Sequence, residues 1–147
     1  MKYSVRKLEL SDIKDLSEIM KAAFSNEPWH EVWDEKLCFE RLSLFCNIPS
    51  SINFTLIDEN NRICGAAIGY VVPFIDGYEY SFQDFFINPS LSKNHLGTFF
   101  LNEVLNELKK THISSIKFYT AGTLDYFYSN FGFKRIKDEY LMEMKVK

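Results

Sequence analysis

Glycine and proline are scarce in this chain, which has 6 Gly and 4 Pro among its 147 residues. Glycine thus falls below the ~7% of residues that is usual in proteins, so any loop that cradles phosphate must do so with few glycines. The sequence contains no internal repeat, linker or low-complexity segment. Its length therefore predicts a single domain over residues 1–147.

Cysteine is scarce too, with 3 residues at Cys38, Cys46 and Cys64. An odd number without a C-x-x-C spacing argues against a disulfide framework and against a cysteine-ligated zinc site. We therefore predict buried thiols, a reducing compartment such as the cytoplasm, and no bound metal.

Long apolar runs and a strong excess of one charge are also missing. The 17 basic and 20 acidic residues are interleaved and give a net charge of −3, which is not the footprint of a nucleic-acid-binding protein. The longest apolar stretch, residues 64–75, is interrupted by Pro73, and residues 1–20 are charged and amphipathic. We expect no membrane span, no signal peptide, and neither a membrane nor a nucleic acid as partner. The slight acidity favours a cationic partner instead.

Aromatic residues, in contrast, are abundant: 14 Phe, 8 Tyr and 2 Trp make up 16% of the chain. Apolar residues as a whole make up 46%. A chain of this size can bury about 68–70% of its unfolded surface, so it can fold without disulfides or metals. The aromatic surplus also permits a homodimer.

The spacing of apolar residues alternates between the helical and the strand periods along the chain. Asp12 is a helix N-cap residue before a stretch of helical spacing, whereas the pattern from residue 53 is that of strands. Asp76-Gly77 is a hairpin turn signal, and Gly69 indicates a bulge. The sequence predicts helices at 12–24, 34–46, 96–110 and 123–131, and strands at 3–8, 53–57, 63–72, 78–87, 115–119, 134–136 and 140–146. This order predicts an α/β (α+β) fold, with a mixed, mainly antiparallel sheet of about six to seven strands and helices on both faces.

A turn after Ile87 leads into the longest predicted helix. Helix N-termini leave amide N–H groups unpaired and carry partial positive charge, so such a turn can hold a phosphate or pyrophosphate. Asn94 or Ser92 can equally serve only as the cap of this helix. The residues alone leave both interpretations open.

Residues 127–133, Phe-Tyr-Ser-Asn-Phe-Gly-Phe, end the last predicted helix. Gly132 suits a left-handed helix C-cap, and the aromatic residues can simply wedge the helix against the sheet. Tyr128 also offers chemistry. A phenol with a pKa of about 10 is protonated at neutral pH and can give its proton to a leaving thiolate.

Carboxylates occur in the middle strands and in the connector between the first two helices. Glu79 lies in a predicted strand, and the connector carries Glu27 with His30. Most such groups are solvated surface residues. Asp84 is different because phenylalanines surround it in its strand, and a charge in that setting needs a partner or a task.

The order of these features, along essentially the whole chain, resembles the GNAT superfamily of acetyl-coenzyme A-dependent N-acetyltransferases. In that family a turn of pattern R/Q-x-x-G-x-G/A binds the coenzyme A pyrophosphate, whereas residues 92–97 here are Ser-Lys-Asn-His-Leu-Gly. The final glycine matches, and Lys-Asn-His-Leu-Gly-Thr is similar to a K-N-x-x-G-T stretch in some aminoglycoside N-acetyltransferases. The resemblance implies an acetyl-CoA site at Ser92, Lys93, Asn94, His95, Leu96, Gly97 and Thr98.

The late signature of the same family, F-Y-x-x-F/L-G-F, matches residues 127–133. Its tyrosine, here Tyr128, is implied to protonate the departing coenzyme A thiolate. Main-chain N–H groups near Phe86 and Ile87 are implied to hold the thioester carbonyl and the pantetheine arm.

The base is less clearly marked, because many family members place a glutamate early in the fourth strand where this chain has Ser81. We favour Asp84 as the binder of the acceptor ammonium and as the base, with Glu79 or a water chain as alternatives. A primary amine with a pKa of about 10.4 is almost entirely protonated at neutral pH, so some group must remove that proton.

The connector resembles a subset of the family in which a Pro-Trp and a second Trp precede the second helix. It is implied to wall the acceptor site, which gives Glu27, Trp29, His30 and Trp33 as substrate-binding residues, and Glu79 of the middle strands is predicted to join them. The acidic residues there favour a cationic acceptor such as a polyamine, an aminoglycoside or a lysine-bearing peptide.

The resemblance therefore implies an acetyl-CoA-dependent N-acetyltransferase that acts on a primary amine of a small molecule or peptide by direct attack. Two alternatives stay open. Departures from the family pattern at Ser81, Ser92, His95 and Ala121 are compatible with a degenerate domain that binds coenzyme A or another ligand as a sensor. In a plain interaction module, Trp29 and Trp33 would instead form a partner surface.

Overall fold

The computed structural model describes residues 2–91 and 95–147. Up to residue 131 its helices and strands follow the predicted order, with bounds that shift by a few residues at most. The elements are β1 (Tyr3–Lys7), α1 (Ile13–Ser25), α2 (Glu35–Cys46), β2 (Phe54–Asp58), β3 (Ile63–Phe74), β4 (Gly77–Ile87), α3 (Leu96–Lys109), β5 (Ser115–Lys117) and α4 (Asp125–Ser129).

The strands form one sheet in the order β1-β2-β3-β4-β5. Neighbouring strands are antiparallel from β1 to β4. β4 and β5 are parallel, with α3 as the connection between them. This topology confirms the mixed, mainly antiparallel sheet that the sequence predicted.

The number of strands is lower than predicted. The sheet has 5 strands, and residues 134–136 and 140–146 form none, although the structure describes them. Tyr140 and Met142 are 83% and 89% exposed, so the apolar alternation in this tail has no face of the sheet to bury. β5, at that edge of the sheet, is 3 residues long and offers only a short ladder to extend.

Helices cover both faces of the sheet, which confirms the predicted fold class. α3 packs on one face through Phe100, Leu101 and Val104, which have no exposed surface. α1 and α2 pack on the other face, where Leu16 and Leu42 are fully buried. These residues recur at the helical spacing that predicted the helices. None of the helices within residues 2–91 and 95–147 is long and apolar enough to span a membrane.

The three cysteines are free thiols, with Cys38 and Cys64 buried and Cys46 half-buried. Burial raises the pKa of Cys46 and of Cys64 to about 11. Both side chains therefore stay protonated at neutral pH and are poor nucleophiles.

The start of α1 is anchored by Asp12, which is 4% exposed. Arg6 on β1 donates to both carboxylate oxygens, at 2.7 and 2.9 Å, and the Glu9 amide and the Thr55 hydroxyl donate at 2.9 and 3.0 Å. Burial alone would raise the pKa of Asp12, but these hydrogen bonds outweigh burial and hold the pKa below its ordinary value. The network ties β1, β2 and α1 together.

A bulge in β4 decides which helices its side chains meet. Ile68 on β3 pairs with Asp84, whereas the next residue, Gly69, pairs with Phe82, so Gln83 is an extra residue on β4. Side chains alternate between faces along a strand, and one extra residue shifts that alternation. Phe82 therefore packs in the α3 cluster, while Asp84 meets a side chain of α2.

Close packing explains the glycine at this bulge. The Tyr80 ring crosses Gly69 so closely that a Cβ on Gly69 would overlap the ring. Tyr80 itself is fully buried, and its hydroxyl donates to the Ile52 carbonyl at 2.7 Å. The predicted bulge at Gly69 is thus confirmed.

Candidate active site

A cavity of about 520 Å³ opens where β4 and β5 separate. The ladder between these strands ends at the pair Ser81–Lys117, and β4 runs on to Ile87 without a further pair to β5 in the described chain. The connector and α2 contribute one wall, and the segment after β5 together with α4 contributes the opposite wall. Main-chain groups of β4 therefore border a space that side chains enclose.

Tyr128 on α4 lines this cavity. Its ring is half-buried, with the Phe118 and Phe127 ring centroids at 4.6 and 5.0 Å. Burial raises the pKa of Tyr128 to about 12, and a hydrogen bond with Thr120 opposes part of that increase. The hydroxyl is thus protonated at neutral pH and can donate a proton or a hydrogen bond.

Asp84 lies on β4 beyond the bulge, is 6% exposed and lines the same cavity. Its carboxylate accepts two hydrogen bonds from Arg41 on α2, from Nε at 2.9 Å and from Nη2 at 3.1 Å. The Arg41 guanidinium also lies 4.9 Å from the Phe45 ring centroid and 5.7 Å from that of Trp33. Asp84, for which the sequence analysis found no partner, therefore forms a bidentate ion pair with Arg41.

Both tryptophans of the connector line the cavity. The Trp29 ring meets Phe24 edge-on, with 5.7 Å between centroids. Trp33 donates from Nε1 to Glu31 at 3.1 Å, and Glu31 is also part of the lining. Each tryptophan is half-buried. They therefore form part of the cavity wall.

Glu27 and His30, the other connector residues predicted at the acceptor site, are exposed and lie outside the cavity lining that the structure describes. Both residues lie in a tight turn that also contains Trp29. The amides of Trp29 and His30 both donate to the Asn26 carbonyl, at 3.0 Å each. His30 has a φ of 48°, in the left-handed region.

Glu79 lines the cavity near the paired ends of β4 and β5. Its Oε1 lies 3.0 Å from Lys117 Nζ, which in turn lies 4.6 Å from the Phe74 ring centroid. The hydrogen bond to Glu79 raises the pKa of Lys117. The predicted carboxylate is therefore at the cavity, but a lysine of the same chain already balances its charge.

Part of the predicted acetyl-CoA turn lies outside the described residues, namely Ser92, Lys93 and Asn94. The described part begins at His95, the N-cap of α3, which has a φ of 60°. The first helical hydrogen bond runs from the Phe99 amide to the His95 carbonyl at 3.0 Å. The amides of Leu96, Gly97 and Thr98 thus have no acceptor within the helix.

Phe86 and Ile87 occupy the end of β4, on the stretch that β5 does not pair. Phe86 is buried against α1, with its ring centroid 6.0 Å from that of Phe24. Ile87 lies against the start of α3, where its Cδ1 would be 3.9 Å from a Cβ on Gly97. The structure therefore places the end of β4 beside the start of α3.

Comparison with known proteins identifies the family. The Acetyltransferase (GNAT) family matches residues 13–133, a range that contains α1 through α4 and β2 through β5. The chain belongs to the GNAT family. Membership assigns this GNAT protein to the acetyltransferases in general. Comparison with curated protein sequences gives no match.

Solved acetyltransferase structures share the fold of this GNAT protein. A possible acetyltransferase from Clostridium difficile 630 has a TM-score of 0.82 at 10% identity and covers 100% of this chain and 99% of its own. Glucosamine-6-phosphate N-acetyltransferase from Arabidopsis thaliana has a TM-score of 0.72 at 13% identity, with 100% of both chains covered. A predicted acetyltransferase from Clostridium acetobutylicum, solved with acetyl-CoA, has a TM-score of 0.71 at 18% identity, with 97% of this chain and 96% of its own covered.

Arg41 is a charged residue of the GNAT cavity that the sequence analysis missed, as are Lys117 and Glu139. A signal was present, because Cys38, Arg41, Leu42 and Phe45 follow the i, i+3, i+4, i+7 spacing of one helix face. Cys38 and Leu42 are buried on that face. An arginine in an apolar stripe and an aspartate in an apolar strand are a pair that the two patterns together could have suggested.

Proposed function

We propose that this GNAT protein is an acetyl-CoA-dependent N-acetyltransferase that transfers an acetyl group to the primary amine of a small molecule or peptide by direct attack. One observation carries the proposal: Tyr128 and the edge of β4 that β5 leaves unpaired border the same cavity. A proton donor beside a row of main-chain hydrogen-bonding groups suits acyl transfer from a thioester to an amine.

The start of α3 supports binding of acetyl-CoA through its pyrophosphate. Three amides without helical acceptors and the positive end of a helix of 14 residues favour an anion there. Gly97 has no side chain to keep a phosphate away from those amides. We propose that Ser92, Lys93, Asn94, His95, Leu96, Gly97 and Thr98 together form this site.

Main-chain N–H groups near Phe86 and Ile87 are proposed to hold the thioester oxygen, and the neighbouring carbonyls of β4 to accept from the pantetheine amides. Bound acetyl-CoA supplies an activated acyl carbon at this edge. Donors fixed in a strand are already oriented toward the charge that develops on the oxygen.

Tyr128 is proposed to give the proton of its Oη to the departing sulfur. Its raised pKa keeps this proton in place at neutral pH. A thiolate that forms among the rings of Phe118 and Phe127 is poorly solvated and correspondingly basic, so it accepts the proton as it leaves.

Asp84 is proposed to bind the ammonium of the acceptor. Each of its oxygens accepts one hydrogen bond from Arg41, which leaves further lone pairs free. We propose that the amine loses its proton to bulk solvent through water held at Ser81, before its lone pair attacks the thioester carbon. The Ser81 hydroxyl oxygen accepts from Gln83 Nε2 at 2.8 Å, so its own O–H is available to orient that water.

Calorimetric titration with acetyl-CoA, followed by a thiol-release assay over a panel of primary amines, tests the proposal. The panel includes polyamines, aminoglycosides, a lysine peptide, amino acids and glucosamine 6-phosphate, the substrate in the name of the Arabidopsis thaliana structure. We expect binding of acetyl-CoA and thiol release that depends on an amine. No heat at millimolar acetyl-CoA contradicts the proposal, and tight binding with a silent panel supports the sensor alternative.

A further inference from the structure

Arg41 offers more donors to the cavity than its partner uses. A guanidinium has five N–H groups on two edges. Asp84 takes one from Nε and one from Nη2. Both N–H groups of Nη1 and the second N–H of Nη2 form an outer edge that lies outside this ion pair.

Arg41 is part of the cavity lining. The Arg41 side chain is 33% exposed, whereas that of Asp84 is 6% exposed. Asp84, Phe45 and Trp33 hold the guanidinium from its other sides. A planar donor fork is thus fixed in position before any ligand arrives, which lowers the entropy lost on binding.

We infer that Arg41 binds an oxyanion of the acceptor, so that the acceptor carries a carboxylate or phosphate group in addition to its amine. The identity of this ligand as the acceptor rests on the proposed function. Guanidinium forks match carboxylate and phosphate oxygens in a bidentate geometry that an ammonium cannot provide.

Four carboxylates line the cavity, those of Glu31, Glu79, Asp84 and Glu139, and two of them are paired with cations of the same chain. Glu79 and Asp84, two of the carboxylates that favoured a purely cationic acceptor, are matched by Lys117 and Arg41. In the Asp84–Arg41 pair the carboxylate can accept from an ammonium while the outer edge of the guanidinium donates to an oxyanion. The pair as a whole is neutral, with an acceptor for an ammonium on Asp84 and donors for an oxyanion on Arg41. It is therefore complementary to a ligand that carries both charges.

The fluorescence of the protein provides a direct binding assay. The chain has 2 Trp, and both line the cavity. We would titrate matched probes at constant ionic strength: phenylalanine against phenylalaninamide, and aminopropyl phosphate against aminopropanol. Each pair differs in the oxyanion and keeps the amine, and the two pairs distinguish a carboxylate from a phosphate.

We expect a saturable change with at least one anionic probe, about tenfold tighter than with its neutral partner. Arg41→Gln is expected to abolish this difference, and Arg41→Lys to restore little of it, because lysine keeps the charge but not the fork. Arg62→Gln is the matched control, because Arg62 is exposed in the turn before β3 and lies outside the described lining.

Equal responses within both pairs overturn the inference, as does a preference that survives Arg41→Gln or the lack of a saturable response to either anionic probe. The comparison of matched probes in the unchanged protein decides the question even where a variant does not fold. A thiol-release assay separates the two proposals. Release with neutral amines or polyamines alone, with a KM that Arg41→Gln leaves unchanged, overturns the role of Arg41. Selective binding of an anionic probe without any thiol release overturns the proposed function.

Discussion

Gly97 lies under the ring of Phe127, and a Cβ at Gly97 would stand 3.8 Å from Phe127 Cζ. Alanine therefore fits without displacing its neighbours. We predict that Gly97→Ala raises the free energy of unfolding by up to about 1 kcal/mol, because alanine is the better helix former. The same methyl group is expected to weaken acetyl-CoA binding about tenfold or more by keeping the pyrophosphate from the amides. Thermal unfolding and calorimetry measure the two effects.

Asn102→Ala serves as the control, because Asn102 is exposed on the same helix. It is expected to leave acetyl-CoA affinity unchanged while also favouring the helix. Equal acetyl-CoA affinities for the unchanged protein and Gly97→Ala would contradict the proposal that the pyrophosphate binds at this turn.

Tyr128→Phe tests the proposed acid. We predict that thiol release falls by about 10²–10⁴-fold while acetyl-CoA affinity is kept, because only the proton donor is removed. In the unchanged protein, release is expected to rise with pH as the amine loses its proton. A decline is expected only as the pH approaches about 12, where Tyr128 itself ionises.

Tyr126→Phe is the matched control for that experiment, since Tyr126 lies on the same helix and is 80% exposed. It is expected to retain full activity. Unimpaired thiol release by Tyr128→Phe would assign the proton to another donor.

Asp12→Asn tests the network at the start of α1. The substitution removes the carboxylate charge that faces Arg6 and one of the two oxygens that accept from Arg6, the Glu9 amide and the Thr55 hydroxyl. We therefore predict a loss of about 2–4 kcal/mol in the free energy of unfolding. The stabilisation by Asp12 is present above its ordinary pKa of 3.8 and is lost as the pH falls through the lower pKa of the folded state.

Urea titrations over a range of pH check both parts of this prediction. The difference in the free energy of unfolding between the unchanged protein and Asp12→Asn is expected to be constant above about pH 5. This gap is expected to narrow in more acidic solution. Glu18→Gln, on the exposed side of the same helix, is expected to show no such gap. A gap that widens on acidification would contradict the assignment.

Gly69→Ala tests the packing at the bulge. A Cβ there would overlap the Tyr80 ring, so we predict a loss of about 2 kcal/mol or more in stability. We also expect lower activity, because the strand that carries Asp84 must shift. Gly122→Ala is the control: its Cβ would meet only Arg135, at 3.8 Å. Equal melting temperatures for the two variants would contradict this account.

Sequence periodicity predicted the helices because their apolar stripes are continuous and decide which side is buried. The same logic failed at residues 140–146, where Tyr140 and Met142 alternate as in a strand but are exposed. Alternation states which residues can share a face. It does not show whether a sheet edge is present on which they could pair. Here that edge is β5, which is short.

Only part of the candidate site could be predicted from the sequence. Trp29, Trp33 and Tyr128 lie at the cavity that the family resemblance led us to expect. Glu27 and His30 do not line it, although they share a tight turn with Trp29, and the local sequence pattern does not reveal which residues of that turn border the cavity. The Arg41–Asp84 pair joins residues 43 positions apart, so neither local pattern reveals it by itself.

The extra residue in β4 also determines how this strand responds to changes in length. Deletion of Gln83 would restore simple alternation and turn Asp84 toward the apolar α3 cluster, away from Arg41. Substitution of Gln83 leaves the number of residues in β4 unchanged. The face that Asp84 occupies therefore depends on the number of residues before it far more than on the identity of residue 83. In this part of the chain, the number of residues decides which face of the sheet Asp84 occupies.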